Sequence, residues 1–211
     1  REVGAALVVD ATQSLGAVPF DVSAVRPDLL VSAAYKWLMG PYSVAFGWFG
    51  PRFDDGVPLE ETWIARAGSE DFGGLVDYQD RYQPGAVRYD VGERSNFALL
   101  PGAVAALDLV LDWTPTAISG YIARLSGPLL SEARRVGFRV EDDTWRSPHL
   151  FGLRMPAGVD LVGLKSRLDT AQISVSIRGT SLRVSPNVYN DKGDVSALAG
   201  VLADVSGASR D

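Results

Sequence analysis

Cysteine is absent from this 211-residue sequence, histidine occurs once, at His149, and lysine three times against seventeen arginines. Without cysteine there is no disulfide scaffold, no thiolate zinc site, no iron–sulfur cluster and no persulfide chemistry on the chain itself. A single histidine removes the common histidine-based metal sites and argues against a serine–histidine nucleophile. No apolar run reaches the roughly 20 residues of a membrane span, and Arg1 is not followed by a charged-then-apolar leader. The expectation is therefore a soluble, cytoplasmic protein. Acidic residues outnumber basic ones 26 to 20, for a formal net charge of −6, which argues against a general nucleic-acid surface and leaves room only for local basic clusters. The sequence is 46% apolar, and its length suits one large domain or two smaller ones.

Three short apolar runs open the chain. Residues 5–10 end in Asp10, residues 28–34 lead into Tyr35-Lys36-Trp37-Leu38-Met39-Gly40-Pro41, and residues 43–49 follow. Their composition predicts strands buried on both faces, as in a parallel sheet with helices above and below. No long amphipathic helix separates them, so the helical covers are expected to precede residue 1. Residues 51–96 are rich in Gly, Pro, Asp and Arg and read as a long ordered surface excursion. Helical spacing runs from Phe97 to Trp113, with Asn96 as N-cap, and again from Thr116 to about Arg135, where Gly120 and Gly127-Pro128 should bend or interrupt it and Gly137 should stop it. The remainder reads as a small α+β unit. Strands are expected at 138–142 and 150–155, a helix at 159–171, a hairpin of 173–178 and 181–186 turning at Gly179-Thr180, and a closing helix at 192–205.

Of the three lysines, Lys165 and Lys192 fall on expected helices among polar neighbours. Lys36 stands just past a buried strand among Tyr35, Trp37, Leu38 and Met39. Desolvation there would favour the neutral amine that Schiff-base chemistry needs; the bland alternative is a strand-end lysine whose stem covers apolar surface. Asp10 closes another strand 26 residues earlier. Ligands collect outside the carboxyl ends of parallel strands, so Asp10 and Lys36 would share a crevice. An amine facing a carboxylate is what a pyridoxal phosphate ring requires, the amine for its aldehyde carbon and the carboxylate for its pyridine nitrogen. A serine–lysine hydrolase built on Ser32 and Lys36 is disfavoured, because the four-residue offset does not match the Ser-x-x-Lys geometry.

The segments Val9-Asp10-Ala11-Thr12-Gln13-Ser14-Leu15-Gly16 and Ser32-Ala33-Ala34-Tyr35-Lys36-Trp37-Leu38-Met39-Gly40-Pro41 together resemble the class V aminotransferases, a family on the fold-type I pyridoxal phosphate scaffold. Arg88-Tyr89-Asp90-Val91-Gly92-Glu93-Arg94-Ser95-Asn96 looks like the segment leading into that family's domain-linking helix. Ile177-Arg178-Gly179 and Leu182-Arg183-Val184-Ser185-Pro186-Asn187-Val188-Tyr189-Asn190-Asp191 look like its C-terminal signature.

The resemblance implies an α/β fold. Residues 1–113 would be the C-terminal part of a mostly parallel large domain with its linking helix, and residues 114–211 a small α+β domain. It implies pyridoxal 5′-phosphate as cofactor, with Lys36 forming the lysine aldimine and shuttling the substrate proton. Asp10 would pair with the ring nitrogen, Gln13 would bond the phenolic oxygen, and Tyr35 would take a phosphate-ligand position. Ser95 and Asn96 would lie on a loop reaching the neighbouring subunit's site. Arg183 would clamp the substrate α-carboxylate, with Arg178 as a second candidate there.

Each role has a plain alternative: loop hydrogen bonding for Gln13 and Tyr35, helix capping for Ser95 and Asn96, a surface ion pair for Arg178. Arg88 and Arg94 read as surface or interface charges, Trp37 and Trp63 as packing groups with a border of the substrate pocket as their alternative, and His149 as structural or exposed. The resemblance also implies an amino-acid substrate and a homodimer, with no nucleic acid and no membrane as partners. Ala33 and Glu93 depart from family positions that carry a serine and a threonine. Tyr35 and Arg94-Ser95-Asn96 lean towards kynureninases and isopenicillin N epimerase-like proteins. Transamination, β-elimination, racemisation or epimerisation, retro-Claisen cleavage and a non-catalytic piece that keeps the fold are all compatible with the motifs. The family's phosphate cup and stacking aromatic come from the first half of its large domain, so this chain reads as the C-terminal half of such an enzyme.

Overall fold

The computed structural model describes residues 2–207, which divide into two compact units, the first ending at Pro115 and the second beginning at Thr116. The first unit is built on three strands: β1 (Val8–Asp10), β2 (Leu29–Ala33) and β3 (Ala45–Phe49). Strands β1 and β2 run parallel, with Val8 opposite Leu29 and Asp10 opposite Val31. Between them is a short helix, α1 (Val22–Val25), capped by Asp21, whose side chain accepts from the Ser23 and Ala24 amides. Strand β3 instead runs antiparallel to β2, from Leu29 opposite Phe49 to Ala33 opposite Ala45. The sheet is therefore mixed, because the loop of residues 34–44 has no room for the crossover that a third parallel strand demands.

The strands are not buried on both faces as their composition predicts. Val8 is 57% exposed and Val31 36% exposed, whereas Leu30 and Ser32, on the other face of β2, are buried. Among the described residues no helix covers the face of Val8 and Val31, so apolar strand composition outruns the burial found in the chain itself.

Residues 51–96 form an ordered excursion of short 3₁₀ turns at Pro51–Phe53, Trp63–Ala65, Phe72–Gly74 and Gly85–Tyr89. Arg88, expected as a surface or interface charge, is buried within the chain itself and organises this segment. Its Nε donates to the Gln83 carbonyl at 3.0 Å and its Nη1 to the Gly56 carbonyl at 3.0 Å. Two otherwise orphaned carbonyls of a loop without ladders thereby gain a charged donor. Arg94 stays at the surface, paired with Asp90 at 2.6 Å.

Helix α2 (Leu100–Trp113) begins later than the sequence pattern suggests. Asn96 does not cap its first turn; its Oδ1 accepts from the Leu99 amide at 3.0 Å and closes the turn before the helix. Helix α3 (Pro115–Arg135) runs unbroken through Pro128. The lost Pro128 donor is tolerated there, and the Ser131 hydroxyl donates to the Gly127 carbonyl at 3.1 Å. The helix stops at Gly137, φ 95°: the Phe138 amide bonds the Ala133 carbonyl and the Gly137 amide the Arg134 carbonyl, a Schellman ending.

In the second unit β4 (Arg139–Val140), β5 (Phe151–Arg154), β6 (Ser176–Arg178) and β7 (Ser181–Val184) form an antiparallel sheet in the order β4-β5-β7-β6. The β6–β7 hairpin turns at Gly179, whose φ of 56° suits a residue without Cβ. Helices α4 (Leu161–Thr170) and α5 (Lys192–Gly207) complete the unit. Phe151, Leu153, Leu182 and Val184 alternate out of the strands into one core with Leu129 of α3, Leu164 of α4 and Leu202 of α5. His149 is buried, its Nδ1 2.7 Å from the Ser147 hydroxyl.

Candidate active site

The carboxyl ends of the parallel pair β1 and β2 gather four of the residues singled out in the sequence. Asp10 is the last residue of β1, and Gln13 lies on the loop that follows it. Tyr35 and Lys36 lie on the loop that follows β2. Thr12 ties the two strand tips together. The Ala33 amide, at the end of β2, donates to the Thr12 hydroxyl oxygen at 3.1 Å, and the Thr12 amide donates to Asp10 Oδ1 at 2.9 Å. Because its oxygen already accepts from Ala33, the Thr12 hydroxyl hydrogen is left to serve Asp10.

Asp10 is exposed, and its carboxyl is held below the usual carboxylate range. The Thr12 hydroxyl and then the Thr12 amide stabilise the anion, slight desolvation opposes them, and the Lys36 ammonium adds a smaller attraction. That attraction is the physical link between the two groups: Lys36 stands near enough for its charge to act on Asp10. The residue is half-buried, less desolvated than the apolar run around it suggests, because Trp37 and Leu38 turn into the interior while Lys36 reaches outward. Its ammonium sits 5.5 Å from the centroid of the Tyr35 ring, which stacks on Tyr42 at 4.3 Å.

The two loops are locked by a close approach. Gly16 has φ 91°, and a Cβ there would lie 2.5 Å from the Trp37 carbonyl oxygen. Gly40 presses on Ala34 in the same way, a Cβ there meeting the Ala34 Cβ at 2.9 Å, and its amide bonds the Ala34 carbonyl. Sequence reading offered Thr12 and Gly16 only as parts of a motif. Their work, bridging strand tips and admitting a carbonyl, depends on neighbours 21 residues apart in the chain.

Ser95 and Asn96 lie in the first unit, Ser95 exposed and Asn96 engaged with the Leu99 amide. Trp63 packs edge-on against Phe72 with ring centroids 6.0 Å apart. Arg183 and Arg178 belong to the second unit, both exposed, on adjacent strands of its sheet. Arg183 points away from the core, between the buried Leu182 and Val184, so no buried charge needs compensation there. Among the described residues no group of histidine and carboxylate side chains is arranged for a metal ion, and no helix is long and apolar enough to cross a membrane.

No family model matches the chain. It is 25% identical over 191 residues, 90% of its length, to the uncharacterized aminotransferase YcbU of Bacillus subtilis. Over 96 residues, 44% of its length, it is 36% identical to kynureninase of Pseudomonas fluorescens. It covers 48% of the first and 22% of the second. Its fold matches 54% of the cysteine desulfurase of Thermococcus onnurineus at TM-score 0.78 and 20% identity, over 98% of the chain. It likewise matches 55% of alanine–glyoxylate aminotransferase of Nostoc sp. at TM-score 0.66 and 20% identity, over 97% of the chain. A further neighbour, C-DES, at TM-score 0.75 and 19% identity over 92% of this chain and 50% of its own, was solved as a mutant with glycine covalently linked to its pyridoxal phosphate cofactor. The chain thus spans about half the length of the B. subtilis relative and of the solved structures it matches.

Proposed function

On the premise that this chain resembles class V aminotransferase-family enzymes in sequence and has the fold of about half of such an enzyme, we propose that it is the Schiff-base half of a pyridoxal phosphate-dependent enzyme acting on an amino acid. The observation that carries the reading is the placement of an anionic Asp10 and the Lys36 amine at the tips of two parallel strands, tied by Thr12. The residues fit the cofactor chemically. Asp10 is an acceptor kept ionised by its hydrogen bonds, Lys36 is a primary amine with an outward path, and no metal-binding cluster among the described residues competes for the site.

When bound, pyridoxal phosphate supplies an aldehyde for amines and a ring that accepts electrons. Asp10 would hold the ring nitrogen, its charge favouring a proton there. Lys36 would anchor the aldehyde carbon and afterwards carry the proton between substrate Cα and cofactor. Gln13, on the loop after β1, would donate to the ring oxygen, and Tyr35 would offer its hydroxyl to the phosphate. Ser95 and Asn96 keep the subunit-bridging role that the resemblance implies, and Arg183, with Arg178, is assigned the substrate carboxylate. A homodimer in the cytoplasm is the proposed setting. Transamination is the first reading, favoured by the length of the match to the B. subtilis aminotransferase; a lyase reaction is the second, favoured by the higher identity to kynureninase.

The test is incubation with pyridoxal phosphate, borohydride fixation and peptide mass spectrometry. Label on the Lys36 peptide, absent from Lys36→Ala and weakened in Asp10→Asn, is the expected result. Equal labelling of Lys36, Lys165 and Lys192 would overturn the reading, because it would show an unselected surface amine.

A further inference from the structure

The core-averted face of the second unit's sheet carries an unpaired basic cluster. Arg139 stands directly opposite Arg154 across β4 and β5, Arg154 opposite Ser181, and Ser181 opposite Arg178. One pair further along, Arg183 lies between Gly152 on one side and Ser176 on the other. Opposed residues in a sheet share a face, so four arginines and three small residues line this surface, with no carboxylate at any strand position. All four arginines are exposed, and none of their guanidinium groups has an ion pair or hydrogen bond among the described residues.

Several arginines elsewhere in the chain are paired instead. Arg66, Arg94, Arg134, Arg135, Arg146 and Arg167 each reach an acidic side chain. The protein carries six more negative than positive charges, yet every charged residue at the paired strand positions of this face is an arginine. Like charges placed directly opposite, as Arg139 and Arg154 are, oppose sheet formation, and an anionic ligand would offset that repulsion. One guanidinium already satisfies one carboxylate in bidentate fashion, so Arg183 alone does not account for the other three. The small residues beside Arg183 leave space over the strands: a Cβ at Gly152 would meet nothing nearer than Ser181 at 4.0 Å.

We propose that this face selects an amino acid with a second anionic group, a dicarboxylic amino acid. Its α-carboxylate is held at Arg183 with Arg178, and its side-chain carboxylate at the Arg154–Arg139 pair. The proposal rests on the assignment of Arg183 to the substrate carboxylate made above and deepens it to a substrate class.

Titration of the intact, cofactor-free chain with glutamate and, separately, with its neutral isostere glutamine, followed by NMR shifts of the arginine side chains, tests the proposal. Glutamate should bind about tenfold more tightly than glutamine, since the two differ by one charge-assisted contact. Arg154→Gln and Arg139→Gln should bring the ratio close to one while leaving glutamine binding in place. Arg183→Gln should weaken both ligands, and Arg135→Gln, a surface residue paired with Glu132, neither. Equal affinities in the unsubstituted chain, or a preference that survives the Arg139→Gln/Arg154→Gln double variant, would overturn the proposal. Loss of selective Lys36 labelling with the glutamate preference intact would remove the proposed chemistry and leave the binding face. Selective labelling without the preference would do the reverse.

Discussion

Gly16 lies against the backbone of Trp37, so closely that any side chain at residue 16 would overlap the Trp37 carbonyl oxygen. This approach fixes the loop after Asp10 against the loop that carries Lys36. Gly16→Ala meets both a backbone conformation unsuited to L side chains, φ 91°, and a rigid carbonyl. It should destabilise the protein by about 1–3 kcal/mol and reduce Lys36 labelling. Gly158→Ala, with φ 82° and open space around it, isolates the conformational part and should cost less. Urea denaturation measures both; equal midpoints for the two variants would show that the carbonyl contact is soft.

The depressed pKa of Asp10 fixes the sign of a pH effect. A carboxyl bound more tightly to its anionic form in the folded state contributes stability above its ordinary value of 3.8 and loses it as pH falls through the lower folded value. Carbon-13 titration of Asp10 should therefore place its midpoint below 3.8. In Thr12→Val, which removes the hydroxyl that contributes most to the shift, the midpoint should move upward. An unchanged midpoint would mean that the amide and Lys36 suffice.

Arg88 holds the carbonyls of Gln83 and Gly56 from a buried position. Arg88→Met preserves bulk but strands both acceptors, and should cost about 2–4 kcal/mol. Because the segment of residues 51–96 has no strands of its own to hold it, the loss should appear first as protease cleavage there. Resistance equal to that of the unsubstituted protein would argue that the 3₁₀ turns stand without it.

Ser126 presents the opposite case. Its hydroxyl is buried inside the second unit with no hydrogen-bond partner among the described residues. Ser126→Ala removes an unsatisfied polar group and improves helix propensity within α3, so it should stabilise by about 1 kcal/mol. A lower melting temperature would show that the hydroxyl is satisfied after all.

The elements with strong periodicity were legible before any coordinates. The β6–β7 hairpin turns where Gly179-Thr180 places it, Gly137 ends α3 where it should, and α5 begins at the expected Lys192. These features are local, set by side-chain period and by glycines that accept positive φ. The departures differ in origin. Asn96 closes the turn before α2 through a contact only three residues away, whereas Arg88 is drawn inside by carbonyls that only the folded excursion assembles.

The sequence by itself determined the chemistry on offer: no thiol, one histidine, three lysines, and an aspartate and a lysine each placed just where an apolar strand ends. Strand endings are dictated by the apolar run and the residue that breaks it, so side chains at the tips can be named from sequence. The tertiary structure decided which tips are neighbours, that Thr12 joins them, that Asp10 feels the charge of Lys36, and that four scattered arginines fall on one face of a sheet. Strand order and register arise from contacts between distant segments, and no local pattern encodes them.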